Sequence, residues 1–260
     1  RRALHIYWHA TACINQKKEL SWGIIKCDRS ERMKKVIVTG GAGFIGSHLA
    51  EELVNQDCRV TIIDDLSTGK LENIEKLLEK DNVEFVQGSV TDLALLRELF
   101  QGAEYVFHQA ALARVPRSIE DPLSTNEINI GGTLNVLLAA RESRVKKVIY
   151  ASSSSVYGDA PSLPQREDMS PNPLSPYALT KLAGEYYCNI FAGLYGLSTV
   201  CLRYFNVYGL RQDTQSQYAT AIPAFIGRSS QNLPPIVFGD GEQSRDCTFI
   251  KDIVSANILA

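Results

Sequence analysis

The sequence of 260 residues lacks long apolar runs, clustered cysteines and an excess of charge of either sign. It contains no stretch of about eighteen uninterrupted apolar residues, so we predict no membrane span. The net charge is -2, which argues against a protein that binds nucleic acid through bulk attraction to its phosphates. The six cysteines include no CxxC pair, and we therefore expect reduced thiols, no metal site and a cytoplasmic location.

The first 32 residues show none of the periodic patterns that mark the rest of the chain. Arg1 and Arg2 precede an apolar stretch, as in a signal peptide, but two histidines interrupt it and no convincing cleavage site follows. We interpret residues 1–32 as an N-terminal extension of open origin, with Met33 as a candidate original start. At the other end a helix-like stretch from Lys251 reaches Ala260 without a capping residue, and we expect the chain to be cut short there.

From Met33 onward, β-branched apolar segments alternate with amphipathic segments of helical periodicity. This alternation predicts an α/β fold of the Rossmann type, a doubly wound parallel sheet with helices on both faces. We assign residues 33–206 to the Rossmann domain and residues 207–260, which are richer in loops, to a smaller and C-terminally incomplete substrate lobe. The predicted strands are Lys34–Thr39, Arg59–Ile63, Val83–Val86, Tyr105–His108, Lys147–Ala151 and Thr199–Tyr204, and the main predicted helices are Phe44–Gln56, Thr125–Ser143 and Pro176–Leu194.

A glycine cluster follows the first predicted strand and opens the first predicted helix. Gly40, Gly43 and Gly46 suit a tight turn that a pyrophosphate can approach, and the helix N-terminus directs its free amides at the phosphates. Asp64 ends the next predicted strand, where a carboxylate accepts ribose hydroxyls and repels a 2′-phosphate. The pattern predicts a dinucleotide site selective for NAD. The alternatives are a plain strand–helix turn and a simple capping role for Asp64.

Tyr177 and Lys181 are four residues apart in a segment that Pro176 opens as a helix, so their side chains share one face. A free tyrosine titrates near pH ~10. A neighbouring ammonium and a positively charged nicotinamide ring both favour the phenolate, which makes Tyr177 a candidate general base. The run Ser152–Ser155 follows a predicted strand at the edge where ligands collect. Either pattern alone also occurs in ordinary helices and loops.

With these motifs in this order, residues 33–260 resemble the NAD-dependent epimerase/dehydratase family of extended short-chain dehydrogenases/reductases. Within that family they are most similar to the 4-epimerases of UDP-glucose and UDP-N-acetylglucosamine. The resemblance implies NAD-dependent 4-epimerisation of a UDP-hexose through a 4-keto intermediate. The stretches that carry it are Gly40–Gly46, Asp64–Gly69, His108–Ala111, Ser152–Gly158, Tyr177–Lys181, Leu202–Asn206 and Gly239–Asp246.

The resemblance also implies a role for each matching residue. The implied catalytic set is Ser153, Tyr177 and Lys181. The implied NAD contacts are Gly40, Gly43, Phe44, Ile45, Gly46, Asp64, Val90, Ala110, Ala111, Asn129 and Tyr204. The implied UDP-sugar contacts are Arg114, Ser154, Asn206, Ala221, Ile222, Val237, Phe238 and Arg245, with Arg245 on the diphosphate.

The chain departs from the family pattern at several positions. The 4,6-dehydratases have Asp-Glu directly after the catalytic residue, whereas this chain has Ser154 and Ser155, so we rank dehydration below epimerisation. Ser89 replaces an aspartate near the adenine. Arg114 stands where small residues are common and would admit an acidic sugar. The alternatives are therefore a UDP-uronic acid 4-epimerase or decarboxylase, a catalytically silent NAD-binding protein, and a piece that is inactive as it stands.

Family members usually form homodimers through a four-helix bundle to which each subunit contributes two helices. In this chain the matching helices would be Pro122–Arg141 and Tyr177–Tyr195. We therefore expect a homodimer, with a UDP-sugar as the small-molecule partner and no nucleic-acid or membrane partner.

Overall fold

A computed structural model describes residues 33–160, 162–213, 221–237 and 239–260. Within these residues six parallel strands form one sheet in the order β3-β2-β1-β4-β5-β6. This is the strand order of a doubly wound Rossmann sheet, so the predicted fold class is confirmed. The strands are β1 (Lys35–Thr39), β2 (Arg59–Asp64), β3 (Val83–Gln87), β4 (Tyr105–His108), β5 (Lys147–Ser153) and β6 (Ser198–Tyr204). Residues 1–32, which the sequence assigns to an extension, lie outside the described residues.

The central strands are buried on both faces because helices cover the sheet on each side. Val36 and Val38 of β1 belong to one hydrophobic cluster and Ile37 between them to another. Successive side chains of a strand point to opposite faces, so a continuous apolar run serves two cores at once. The continuous apolar run by which β1 was predicted is therefore explained by the position of β1 in the middle of the sheet.

Eight helices lie among the described residues. They are α1 (Phe44–Asn55), α2 (Leu93–Leu99), α3 (Val115–Glu120), α4 (Pro122–Asn126), α5 (Gly132–Glu142), α6 (Pro176–Tyr195), α7 (Ala221–Ser229) and α8 (Ile250–Leu259). Helices α1 and α6 match their predicted bounds closely. The predicted continuous helix Thr125–Ser143 is wrong in detail, because a π-helical turn over Glu127–Gly131 separates α4 from α5.

The last described helix packs on the Rossmann layer. Helix α8 lies against α1, and its Val254, Ala256 and Ile258 join the core on that face of the sheet. The loop-rich segment before α8 contains α7 and a short parallel pair of strands, β7 (Val207–Tyr208) and β8 (Thr248–Phe249). The boundary at residue 206 and the assignment of residues 207–260 to a substrate lobe both stay predictions.

His108 at the end of β4 is buried between two threonines. Its Nδ1 lies 2.8 Å from Thr39 Oγ1 and its Nε2 lies 2.9 Å from Thr133 Oγ1. Thr133 Oγ1 donates to Asn129 O at 2.6 Å, so it accepts from Nε2–H, and Nδ1 accepts from Thr39. Burial, aided by the charge of Lys181, lowers the pKa of His108 to about 3. The ring is therefore neutral in the folded protein.

We expect His108 to make the protein sensitive to acid. Between pH 6.5 and about 3 the unfolded chain protonates this histidine and the folded protein does not, so stability falls as the pH falls through that window. From pH 7 to pH 5 this one group should remove about 2 kcal/mol from the free energy of unfolding. Urea titrations at both pH values, compared with His108→Gln, measure the effect.

The Gln variant should be less stable at pH 7 but should lose about 2 kcal/mol less on going to pH 5. Burial also lowers the pKa of the half-buried His48, so His48→Gln, which leaves the two threonine contacts of His108 in place, measures the share of the loss that comes from this second histidine. Equal losses in wild type and His108→Gln would contradict the assignment of the acid sensitivity to this residue.

Candidate active site

A cleft of about 1950 Å³ opens at the carboxyl ends of the parallel strands. It spans the point where the strand order reverses, between β1 and β4, which is where doubly wound sheets bind their ligands. The glycine turn after β1, the end of β2, the loop before α3, the end of β5 and the start of α6 all contribute to its wall. The topology thus brings the predicted cofactor and catalytic motifs into one site.

The glycine turn has no room for side chains at two positions. Gly40 has a φ of +68°, and a Cβ atom there would lie 2.6 Å from the Ala110 nitrogen. A Cβ atom on Gly46 would lie 2.2 Å from the Gly40 oxygen. Helix α1 starts after Gly43 with no side-chain cap, so its first-turn amides line the cleft together with Phe44 and Ile45. This is the geometry of an anion site at a helix N-terminus.

Asp64 ends β2 at the rim of the cleft. Its Oδ2 accepts from Ala42 N and its Oδ1 from Leu66 N, each at 2.9 Å. Burial raises the pKa of Asp64, and these backbone hydrogen bonds oppose the rise. A carboxylate has about four lone-pair sites, so the two oxygens keep capacity for ribose hydroxyls. The glycine turn and Asp64 therefore fit the diphosphate and adenosine ribose of NAD.

Helix α6 places Tyr177 in its first turn, next to α3. The Ser175 side chain caps the helix by accepting from Ala178 N at 3.1 Å, and Pro176 occupies the first helical position. Tyr177 N donates to Ser118 Oγ at 3.1 Å. Ser118 thus fixes the start of α6 to α3, a contact that no sequence pattern indicates.

Lys181 lies one turn after Tyr177, and both side chains are buried. Its Nζ donates to Ala151 O at 2.7 Å and lies 5.9 Å from the centre of the Tyr177 ring. Burial lowers the pKa of Lys181 to about 8. Burial also raises the pKa of Tyr177, while a hydrogen bond with the Ser153 side chain lowers it. Desolvation thus opposes the lowering of the Tyr177 pKa that we expect from Lys181 together with a positively charged nicotinamide ring, and that lowering stays a prediction.

The structure distinguishes among the four serines that follow Ala151. Ser152 is turned inward, where its hydroxyl donates to Glu185 Oε1 at 2.5 Å. Ser153 is the serine whose side chain hydrogen-bonds Tyr177. Its Oγ also accepts from Ser155 N at 3.2 Å and contacts Ser155 Oγ at 2.9 Å. Ser153, Tyr177 and Lys181 are therefore brought together as predicted.

A buried ion pair lies next to Ser152. Glu185, one turn after Lys181, accepts from Arg203 Nε at 2.9 Å and from Nη2 at 2.7 Å, and both side chains are 8% exposed. The Arg203 guanidinium also lies 4.6 Å from the centre of the Tyr157 ring. Because Ser152 bonds the same glutamate, this network ties β5, α6 and β6 together beneath the site. An acid one helical turn after the lysine is the sequence signal that could have indicated it.

Most of the other predicted contacts also line the cleft. They are Val90, Ala110, Ala111, Arg114, Ser154, Tyr204, Asn206 and Arg245. The Tyr204 hydroxyl is held by Gln109 Oε1 at 3.2 Å and Asn257 Oδ1 at 3.0 Å, and burial raises its pKa to about 12. Asn206 Nδ2 donates to Asp246 O at 2.9 Å, which joins the loop after β6 to the segment that carries Arg245.

Five predicted contacts lie away from the cleft lining or outside the described residues. Asn129 lies behind the cleft wall, where its amide bonds Leu112 N and O and Thr180 Oγ1. Ala221, Ile222 and Val237 lie away from the cleft lining that the described residues form. Phe238 is outside the described residues. The role of each of these remains a prediction.

The described part of the chain contains no group of three or more His, Cys, Asp or Glu side chains arranged to hold a metal ion. In that same part, none of the helices has both the length and the apolar character needed to cross a membrane.

Comparison with known proteins identifies the class to which this fold and site belong. Residues 36–260 match the model of the NAD dependent epimerase/dehydratase family. The chain belongs to this family, and its cofactor is NAD.

Three relatives place the chain within the family. It is 42% identical over 227 residues to a putative UDP-glucose 4-epimerase of Methanocaldococcus jannaschii, covering 86% of this chain and 72% of the relative. It is 40% identical over 232 residues to a UDP-N-acetyl-alpha-D-glucosaminuronate decarboxylase of Bacillus cytotoxicus, covering 87% of this chain and 71% of the relative. A solved structure also superposes on the chain with a TM-score of 0.84 at 46% identity, covering 88% of this chain and 73% of the other. It is a UDP-N-acetylglucosamine 4-epimerase from Methanobrevibacter ruminantium M1 in complex with UDP-N-acetylmuramic acid.

Proposed function

We propose that this protein inverts the C4 hydroxyl of a UDP-hexose, either the glucose/galactose pair or the N-acetylhexosamine pair. The observation that carries the proposal is the convergence of Ser153, Tyr177 and Lys181 beside the glycine turn of a NAD cleft. The 4-epimerases among the relatives support it.

The catalytic side chains divide the proton chemistry between them. The Tyr177 oxygen takes the proton of the sugar 4-hydroxyl and later returns it, while the Ser153 hydroxyl holds the same oxygen through its hydrogen bond. Lys181, anchored on Ala151 O, keeps a cation near the phenol. Bound NAD supplies reversible uptake of a hydride from C4 and, in its oxidised form, a positive charge beside Tyr177.

The remaining cleft residues hold the substrate. Arg245 would neutralise the UDP diphosphate and Asn206 would contact the nucleotide, while the 4-keto sugar turns about its link to that diphosphate. Ser154 and Ser155 lack a carboxyl group to protonate a leaving hydroxyl, so the site favours epimerisation over dehydration.

Product analysis in deuterated water tests this reaction. UDP-glucose, UDP-N-acetylglucosamine and UDP-glucuronate are supplied separately, and products are identified by NMR. We expect a C4 epimer that retains its original C4 hydrogen, because the hydride never exchanges with solvent. Solvent deuterium at C4, or conversion of none of the three substrates by protein that binds NAD, would contradict the proposal.

A UDP-uronic acid 4-epimerase or decarboxylase is the second candidate, and Arg114 is the observation that favours it. Arg114 lines the cleft, and its carbonyl accepts from Ser118 N at 3.0 Å. Ser118 Oγ in turn accepts from Tyr177 N. Arg114 therefore lies one turn of α3 before the residue that contacts the start of α6. A guanidinium there would pair with a sugar carboxylate. Pentose formation from UDP-glucuronate in the same assay would identify a decarboxylase.

We also propose a homodimer formed through α4, α6 and their partner copies. Leu179, Tyr186, Ile190 and Leu194 recur at helical spacing on α6 and are between 48% and 73% exposed, and Leu123 of α4 is 83% exposed. Because α4 packs beside α6, these side chains form a continuous apolar face of the kind that subunit interfaces cover.

Replacing Ile190 and Leu194 with glutamate should convert a dimer into a monomer, since each subunit would bury two unpaired charges at the interface. Size-exclusion chromatography with light scattering measures the mass. Leu78→Glu, at a 40% exposed leucine distant from α6, should leave the dimer intact. A wild-type monomer, or a dimer that survives both glutamates, would contradict this interface.

A cytoplasmic location is proposed on the chemistry of the cysteines. Cys188 and Cys201 are buried free thiols, and the two side chains share a hydrogen bond. Two thiols this close remain reduced in a reducing compartment. Mass spectrometry of protein isolated under acid quench should find both unmodified.

A further inference from the structure

The loop after β7 crosses back to the cofactor helix α1. His48 Nε2 lies 2.9 Å from Leu210 O, and Arg211 Nη2 lies 2.7 Å from Glu51 Oε2. His48 and Glu51 follow Phe44 by one and two turns on the same face of α1, and the His48 ring packs edge-on against the Phe44 ring with centroids 6.1 Å apart. The loop is therefore fastened beside the helix whose first turn faces the diphosphate site.

The loop adopts this course at the cost of backbone strain. Arg211 has a φ of +64° and Asn206 a φ of +22°, although neither is a glycine, and Gly209 has a φ of +155°. Left-handed conformations at non-glycine residues persist where the surrounding structure holds them, and they are concentrated at ligand sites. Arg211 combines this backbone conformation with its contact to Glu51 of α1.

One nitrogen of the Arg211 guanidinium has no hydrogen-bond partner in the part of the chain that the structure describes. Nη2 bonds Glu51, whereas Nη1 is buried and has no hydrogen-bond partner among the described residues. Arg211 also lines the cleft with Phe44 and Ile45. Side chains on a helix lean toward its N-terminus, so Glu51 directs the guanidinium toward the first turn of α1. A buried guanidinium nitrogen without a partner costs free energy unless a ligand supplies the acceptor.

We propose that Arg211 Nη1 donates to a nucleotide diphosphate in the cleft, with Glu51 holding the guanidinium in place. The diphosphate of NAD is favoured because the loop is tied to α1. The diphosphate of the UDP-sugar could accept the same hydrogen bond. That alternative ligand rests on the proposed function. The NAD contact depends on family membership and not on the sugar, so its failure and the failure of 4-epimerisation are separate results.

Calorimetric titration of the purified protein with NAD⁺, UDP and adenosine tests the proposal. Arg211→Gln should raise the Kd for NAD⁺ about tenfold or more, as expected for one charge-assisted contact. Glu51→Gln, which keeps the cation but loosens it, should have a smaller effect in the same direction. Arg97→Gln is the matched control, because Arg97 and Glu142 form an ion pair at 2.8 Å and neither residue lines the cleft. Its Kd values should stay within about twofold of wild type.

The three ligands separate the outcomes. Weaker binding of NAD⁺ with unchanged adenosine binding supports a contact with the cofactor diphosphate, and weaker binding of UDP alone assigns the same cation to the substrate. Unchanged binding of both NAD⁺ and UDP by Arg211→Gln overturns the proposal. An equal loss for adenosine, which has no phosphate, also overturns it, since the effect would then act through the loop. An unchanged Tm for each variant shows that the fold is preserved.

Discussion

Tyr177→Phe is expected to lower kcat by about 10³-fold or more while leaving the fold and NAD binding intact. The substitution removes one oxygen from a side chain whose ring is buried, so packing changes little. In the proposed mechanism it also removes the atom that exchanges the proton of the sugar hydroxyl, a step that acid–base catalysis typically accelerates by about 10² to 10⁴-fold. No other group replaces it readily, because the Lys181 ammonium is engaged with Ala151 O and Ser153 is a much weaker base.

The loss should appear in kcat with little change in the Kd for UDP, since the uridine and diphosphate contacts are unaffected. Tyr105→Phe, at a half-buried tyrosine where β4 begins, is the matched control and should retain wild-type turnover. A Tyr177→Phe enzyme that keeps more than a tenth of its activity would show that another group carries the proton, and the proposed mechanism would be abandoned.

Gly46→Ala is expected to abolish tight NAD binding and to destabilise the fold by about 3 kcal/mol or more. The new methyl group would lie 2.2 Å from the Gly40 oxygen and 2.8 Å from the Gly41 Cα. Both neighbours are backbone atoms, so no side-chain rotation relieves the overlap. Gly40 cannot retreat, because it lies against the Ala110 backbone on its other side. The turn must therefore open, and the amides that face the diphosphate move with it.

A displacement of about 1 Å in such a site can cost about 10²-fold in affinity or rate, and calorimetry with NAD⁺ together with urea unfolding measures both effects. Gly131→Ala is the control: Gly131 has helical dihedral angles of −59° and −48°, and a Cβ atom there would meet nothing within 4 Å. This substitution should be neutral or stabilising by up to about 1 kcal/mol. If Gly46→Ala binds NAD⁺ as tightly as wild type does, the short distance between residue 46 and the Gly40 oxygen is not the reason that this position requires glycine.

The elements that carry the site were predicted well because their signals are local. The β-branched run of β1, the glycines of the turn and the Pro-Tyr start of α6 each specify a backbone conformation within a few residues, whatever surrounds them. The π-helical turn over Glu127–Gly131 was missed for the opposite reason. Its residues read as an ordinary amphipathic helix, and the turn becomes visible only with Asn129 bonded to Leu112 and Thr180 across the fold.

The sequence alone determined the fold class, NAD as the cofactor and the one-turn spacing of Tyr177 and Lys181, because these depend on short-range patterns with a direct physical meaning. Tertiary structure decided which of four serines hydrogen-bonds Tyr177, that Ser118 fixes the start of α6, and that Glu185 and Arg203 form a buried ion pair. It also decided how deeply Tyr177 is buried, and this burial raises the pKa of its phenol against the lowering effect of Ser153. Burial and long-range contacts set these properties, and both arise only when distant segments pack together.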